Sequence, residues 1–143
     1  MHPCLEKILL NEDEIVARCK ELGQQITQEY KNNEQPPLLV ALLKGSVPFL
    51  AELIKHIDLD IQFDFMDVSS YEGTESIGDI KIIKDLDEPL EGKNVIIVED
   101  IIDSGRTLAY LIEVLKQRNP KNIELCTLLD KPERRVKKQV QVK

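Results

Sequence analysis

Two stretches of this chain contain no polar side chain at all, Leu38 to Leu43 and Val95 to Val98. Runs this short and this apolar are what strands look like when both faces of their sheet are covered. A third such run follows at Ile123 to Leu129, broken by Glu124 and Thr127. Strands covered on both faces need helices above and below, and helical patterns lie between the runs. Ile15, Cys19, Leu22, Ile26 and Tyr30 recur every three or four residues, in a helix starting at Asn11. There Glu14 sits as a capping-box partner and Leu10 and Ile15 as a hydrophobic staple. Lys31 to Pro37 forms a turn. A second helix is expected over roughly Val47 to His56. A third runs from about Thr107, burying Leu108, Leu111, Ile112 and Leu115, and stops at Asn119-Pro120. Asp60 to Asp67 alternates, with Ile61, Phe63 and Phe65 on one face of a strand, and Ile80 to Lys84 is a short strand. Between them, residues 68–79 are polar, contain Gly73 and Gly78, and read as a mobile loop. Strands alternating with helices predict an α/β fold with a mainly parallel sheet and right-handed crossovers.

The 143 residues suit one domain, 1–143, with a single sizeable core. The excess of 26 acidic over 19 basic residues, a formal charge of -7, argues against a nucleic-acid-binding surface. Aromatic residues are 4% and Trp is absent, so a stacking platform for single-stranded RNA is not expected either. Cys4, Cys19 and Cys126 form no CxxC pair, which suits reduced thiols in a cytosolic protein. No apolar run approaches a membrane span and Met1 to Leu10 has no secretory core, so a cytoplasmic protein with no membrane partner is expected.

In open parallel sheets ligands sit beyond the carboxyl ends of the strands. Four polar clusters fall at such ends: Lys44-Gly45, Glu99-Asp100, Asp103 to Thr107 and Asp130-Lys131. Asp103-Ser104-Gly105-Arg106-Thr107 joins a strand to a helix with small and hydroxyl residues. Its N–H groups, two hydroxyls and helix N-terminus suit a phosphate monoester. Adjacent carboxylates such as Glu99 and Asp100 repel that phosphate, and suit a vicinal diol or a magnesium ion. A diol beside a 5′-phosphate describes a ribose phosphate. Each piece has an ordinary reading: a solvated strand end for the acidic pair, a helix N-cap for Asp103, a turn for Lys44-Gly45.

Taken together, Val95 to Leu108 resembles the phosphoribosyl pyrophosphate signature of type I phosphoribosyltransferases, in the form found in the hypoxanthine-guanine branch. Leu43-Lys44-Gly45-Ser46 is similar to that family's pyrophosphate loop, in which the Leu-Lys peptide is often cis. Ser69-Ser70-Tyr71 with Gly73-Thr74 resembles its active-site lid, and Lys131 stands where the family reads the purine's exocyclic oxygen. The resemblance implies transfer of the 5-phosphoribosyl group to hypoxanthine or guanine, with Mg²⁺ at Glu99 and Asp100. IMP or GMP and pyrophosphate would be the products. It also implies that Lys44 and Gly45 orient pyrophosphate, that Ser70 and Tyr71 belong to the lid, and that residues 104–107 hold the phosphate. Asp103 would act as the general base on purine N7. A homodimer or homotetramer is the family expectation.

Family members continue past the position of Lys143 with a strand carrying a purine-stacking aromatic, then a further acidic residue near the metal. Neither occurs in these 143 residues. The expectation is therefore near-normal binding of phosphoribosyl pyrophosphate with weak purine binding, since stacking on a base contributes about 1–3 kcal/mol. A non-catalytic protein that binds phosphoribosyl pyrophosphate or nucleotide is the second reading. A receiver-type signalling domain is a third, weakened because the acidic pair comes late in the chain with a phosphate loop directly behind it.

Overall fold

The computed structural model describes residues 12–70, 80–102 and 106–130. Their elements run α1 (Glu12–Tyr30), β1 (Leu38–Leu42), α2 (Val47–Ile54), β2 (Gln62–Ser70), β3 (Ile80–Lys84), β4 (Asn94–Ile102), α3 (Arg106–Lys116) and β5 (Asn122–Asp130). The strands form one sheet in the order β3-β2-β1-β4-β5. β1 pairs in parallel with β2 and β4, and β4 with β5, while β2 and β3 are antiparallel. This is the expected α/β architecture with a mostly parallel sheet.

Each central strand divides its side chains between two cores. Leu38, Val40 and Leu42 of β1 join Val95 and Ile97 of β4 under Leu108, Leu111 and Leu115 of α3. Leu39 and Ala41 join Ile96 and Val98 against Cys19, Leu22 and Ile26 of α1 and Phe49, Leu50 and Leu53 of α2. The period of two along each strand sends neighbours to opposite faces, so a run without polar residues is what two cores require. The helical period of α1 buries the predicted face, with Cys19, Leu22, Ile26 and Tyr30 each at most 7% exposed. Its start at Asn11 lies outside the described residues, as do Cys4 and His2.

Four expectations need correction. β2 begins at Gln62 and runs on to Ser70, because Val68, Ser69 and Ser70 pair with Ile82, Lys81 and Ile80 of β3 past a bulge at Asp67/Val68. The start of the supposed loop is therefore strand, and residues 71–79 of it lie outside the described set. The alternation in β2 also has an unexpected burial pattern: Phe63 is 49% exposed, while Asp64 is buried. Asp64 tolerates burial because its carboxylate accepts N–H bonds from Phe65, Asp87 and Glu88 at 2.8, 2.8 and 3.0 Å. β4 is nine residues long, so Glu99 and Asp100 lie within it rather than beyond it. β5 supplies the reason, since its pairing continues to Ile102↔Asp130. α2 ends at Ile54, two residues early. His56 lies just past that end and pairs with Glu52 at 2.9 Å, a structural role.

Candidate active site

β1, β4 and β5 end on the same edge of the sheet, as the parallel registers Ala41↔Val98 and Glu99↔Thr127 require. Residues 43–46 leave β1 there. The Leu43–Lys44 peptide is cis. Leu43 N–H donates to Met66 O of β2 at 2.9 Å, and the fully buried Ser46 donates its hydroxyl back to Leu42 O. Those bonds hold the loop at both ends and leave Lys44 and Gly45 exposed between them.

Gly45 meets Asp100. A Cβ at Gly45 would stand 3.1 Å from Asp100 Oδ2 and 3.6 Å from its Cγ and Oδ1. Two clusters more than fifty residues apart in sequence thus form one surface, with the backbone at Gly45 able to approach the carboxylate because no side chain intervenes. Asp100 N–H donates to Glu99 Oε1 at 3.0 Å, and Ile101 N–H donates to Asp100 Oδ1 at 2.9 Å. Both carboxylates are fixed by the backbone immediately after them.

Burial pushes the Glu99 carboxyl up to about 8, and the neighbouring Asp100 carboxyl adds to the rise against the N–H bond that opposes it. Ligand-free Glu99 is therefore largely protonated at neutral pH. Its folded-state value lies above the ordinary 4.5, so the folded state holds the extra proton between the two. Stability falls as pH rises from about 4.5 to about 8. Glu99→Gln, which cannot ionise, should melt close to the parent at pH 5 and higher at pH 9, in chelator and without substrate. The gap at pH 9 should be on the order of 2 kcal/mol after allowance for solvent screening. Equal melting at both pH values would show that Glu99 is not strained by ionisation.

α3 begins at Arg106, so the N–H groups of its first turn, which have no partner within the helix, follow residues 103–105 in the sequence, and Thr107 is half-buried in that turn. Of the predicted site, Lys44, Gly45, Glu99, Asp100 and Thr107 are described with their side chains, and Ser70 and Arg106 through their backbone. Tyr71, Asp103, Ser104, Gly105 and Lys131 lie outside the described residues.

This arrangement has relatives. The phosphoribosyl transferase domain family matches residues 7–143. A hypoxanthine-guanine phosphoribosyltransferase of Streptococcus pyogenes is 53% identical over 135 residues, covering 94% of this chain and 74% of that protein. The chain belongs to the hypoxanthine-guanine phosphoribosyltransferase family. Solved structures agree. A hypoxanthine phosphoribosyltransferase of Staphylococcus aureus superposes with a TM-score of 0.90 at 47% identity, over 97% of this chain and 74% of that one. The Trypanosoma cruzi hypoxanthine phosphoribosyltransferase, in complex with the product IMP, also gives 0.90, at 35% identity, over 99% and 79%. Membership in this family makes the chain a pentosyltransferase, and removes the receiver-domain reading.

Thr127 did not stand out in the sequence. It is buried in β5 and donates its hydroxyl to Asp100 O at 3.3 Å. A lone hydroxyl in the otherwise apolar Leu125 to Leu129 run was the available signal.

Proposed function

We propose that this chain works in purine salvage, transferring the 5-phosphoribosyl group of phosphoribosyl pyrophosphate to hypoxanthine or guanine. In that reaction the bond from C1′ to pyrophosphate breaks as the bond to the purine nitrogen forms, and the purine loses its N7 proton. Family membership supports the substrates, and the observation that carries the reading is the close approach of Gly45 to Asp100. It sets a loop that can face pyrophosphate against a carboxylate that can accept from ribose hydroxyls, as the two ends of the breaking bond demand. Lys44 and Gly45 orient the leaving pyrophosphate; Lys44 supplies the charge and Gly45 the close backbone. Ser104, Gly105, Arg106 and Thr107 hold the 5′-phosphate at the N-terminus of α3. Asp103 takes the N7 proton. Lys131 reads the exocyclic oxygen, and Ser70 and Tyr71 belong to the lid.

Mg²⁺ fits the acidic pair. Glu99 and Asp100 are adjacent carboxylates that offer hard oxygen donors. Magnesium favours such sites, taking one or two carboxylates and completing its shell with water and substrate oxygens. When bound it would offset charge on pyrophosphate and ribose oxygens. We assign the protein to the cytoplasm, a compartment suited to the free, buried thiols of Cys19 and Cys126. No helix among the described residues is long and apolar enough to cross a membrane. A homodimer or homotetramer is the proposed assembly.

The test is incubation with phosphoribosyl pyrophosphate, Mg²⁺ and hypoxanthine. IMP and pyrophosphate should appear in equal amounts. Tight binding of phosphoribosyl pyrophosphate with no IMP formed would instead favour a non-catalytic binding protein. The loop contact has its own test. Gly45→Ala should weaken phosphoribosyl pyrophosphate about tenfold, or roughly 1.4 kcal/mol, as the new methyl displaces the Asp100 carboxylate by a few tenths of an ångström. The melting temperature should hardly move, since the methyl projects into the site and not the core. Undiminished affinity would remove the contact from the mechanism.

A further inference from the structure

We infer that Thr127 is a positioning residue for Asp100, holding the acidic pair at its working angle from the neighbouring strand. This rests on the reading of Asp100 as a ribose-binding carboxylate. The β4–β5 ladder runs without a break from Asn94↔Asn122 to Glu99↔Thr127 and resumes at Ile101↔Leu129 and Ile102↔Asp130, passing over Asp100. β4 has also lost its other neighbour by then, as its pairing with β1 ends at Ala41↔Val98. The backbone at Asp100 is thus outside the regular ladder on both sides. The Thr127 hydroxyl donates to its carbonyl oxygen at 3.3 Å, from a residue only 4% exposed. On the side-chain side, Gly45 limits where the Asp100 carboxylate can move. The bonds from Asp100 N–H and Ile101 N–H are local to the segment, whereas the Thr127 bond reaches it from another strand. It therefore fixes the tilt of the Asp100 peptide relative to the sheet, and with it the direction of the carboxylate.

The contribution should appear in ligand affinity. The bond is already made without ligand, so binding loses only what re-aiming the Asp100 carboxylate costs, and the weakening should be roughly 2–12-fold, no more than the net worth of one such bond. Thr127→Val keeps the shape and removes the donor; Thr127→Ser keeps the donor and removes a methyl. Calorimetric titration with phosphoribosyl pyrophosphate and Mg²⁺ should show the loss in the Val variant and recovery to within about twofold of the parent in the Ser variant. A merely structural threonine would give the reverse order, because the methyl fills buried space in both Thr and Val. Equal affinity in the parent and Thr127→Val overturns the proposal, as does an equal loss in both variants. If Thr127→Val does not fold, Thr127→Ala takes its place, with the same expectation relative to Thr127→Ser. Asp100→Ala is measured beside them. If it binds phosphoribosyl pyrophosphate as well as the parent, the ribose role of Asp100 falls and Thr127's role with it. If it binds weakly while the Val variant does not, only the positioning role is lost.

Discussion

Asp103→Asn should slow formation of IMP by about 10²–10⁴-fold while leaving the affinity for phosphoribosyl pyrophosphate within a few-fold of the parent. An amide has nearly the carboxylate's size and still offers hydrogen bonds to the loop ahead of α3. It cannot take up a proton from N7. If Asp103 serves only as a hydrogen-bonding residue of its own segment, Asn serves nearly as well, since its amide keeps an accepting oxygen; with α3 starting at Arg106, the N-cap position expected for Asp103 falls to Gly105. The two accounts therefore part on a single measurement of turnover. A rate within threefold of the parent would leave Asp103 a structural residue. A lowered rate with a proportional loss of phosphoribosyl pyrophosphate affinity would make it a binding group and not a base.

The second large effect is expected far from the site. Gly23 lies inside α1, where replacing Gly by Ala ordinarily stabilises a helix by about 1 kcal/mol. Here the sign should reverse. A Cβ at Gly23 would stand 2.6 Å from His56 Cβ, 2.6 Å from His56 O and 2.8 Å from its carbonyl carbon. Two of the three are backbone atoms and cannot rotate away. The same contact is tied by Thr27, whose hydroxyl donates to Gly23 O at 2.8 Å and accepts from Asp58 N–H at 3.0 Å. Inserting a methyl must push α1 away from the segment after α2 or strain it. Overpacking of this kind costs about 1–3 kcal/mol and at times more, which exceeds the propensity gain. The Gly23→Ala protein should melt roughly 5–10 °C lower than the parent. A melting temperature at or above the parent's would show that the two elements can separate without cost.

Most of the fold was legible because the apolar runs carry it. Leu38 to Leu42, Val95 to Val98 and Ile123 to Leu129 could only be strands between two helical layers, and the period of α1 named its buried face. The errors lie where pairing outlasts hydrophobicity. Little in Glu99-Asp100 or Val68-Ser69-Ser70 beyond Val68 favours a strand; Val68 to Ser70 and Glu99 are extended because a neighbouring strand bonds them, and Asp100 is carried between the paired Glu99 and Ile101. Asp64 was hidden for a similar reason: the N–H groups that satisfy it come partly from Asp87 and Glu88, more than twenty residues on. Of the candidate site, Lys44, Gly45, Glu99 and Asp100 were picked out by their spacing and likeness, and the structure sets Gly45 against Asp100. Thr127 could not, since its role depends on which residue stands opposite it.

That dependence reaches further than one threonine. Along Leu38–Leu42 and Val95–Val98 both faces are apolar, so sliding either strand by one residue would exchange one buried aliphatic for another except at the end of the run, where in β4 Asn94 or Glu99 would enter the slot of Val95 or Val98. The usual penalty for such a slip is thus confined to one position here. The chemistry would not survive it. Moving β4 by one step would set Ile101 where Asp100 faces Gly45, or Glu99 where Asp100 meets the Thr127 hydroxyl. Single-residue insertions or deletions within Val95–Val98 should thus tend to yield proteins that fold but do not bind phosphoribosyl pyrophosphate, a class that screening for expression alone would pass as intact.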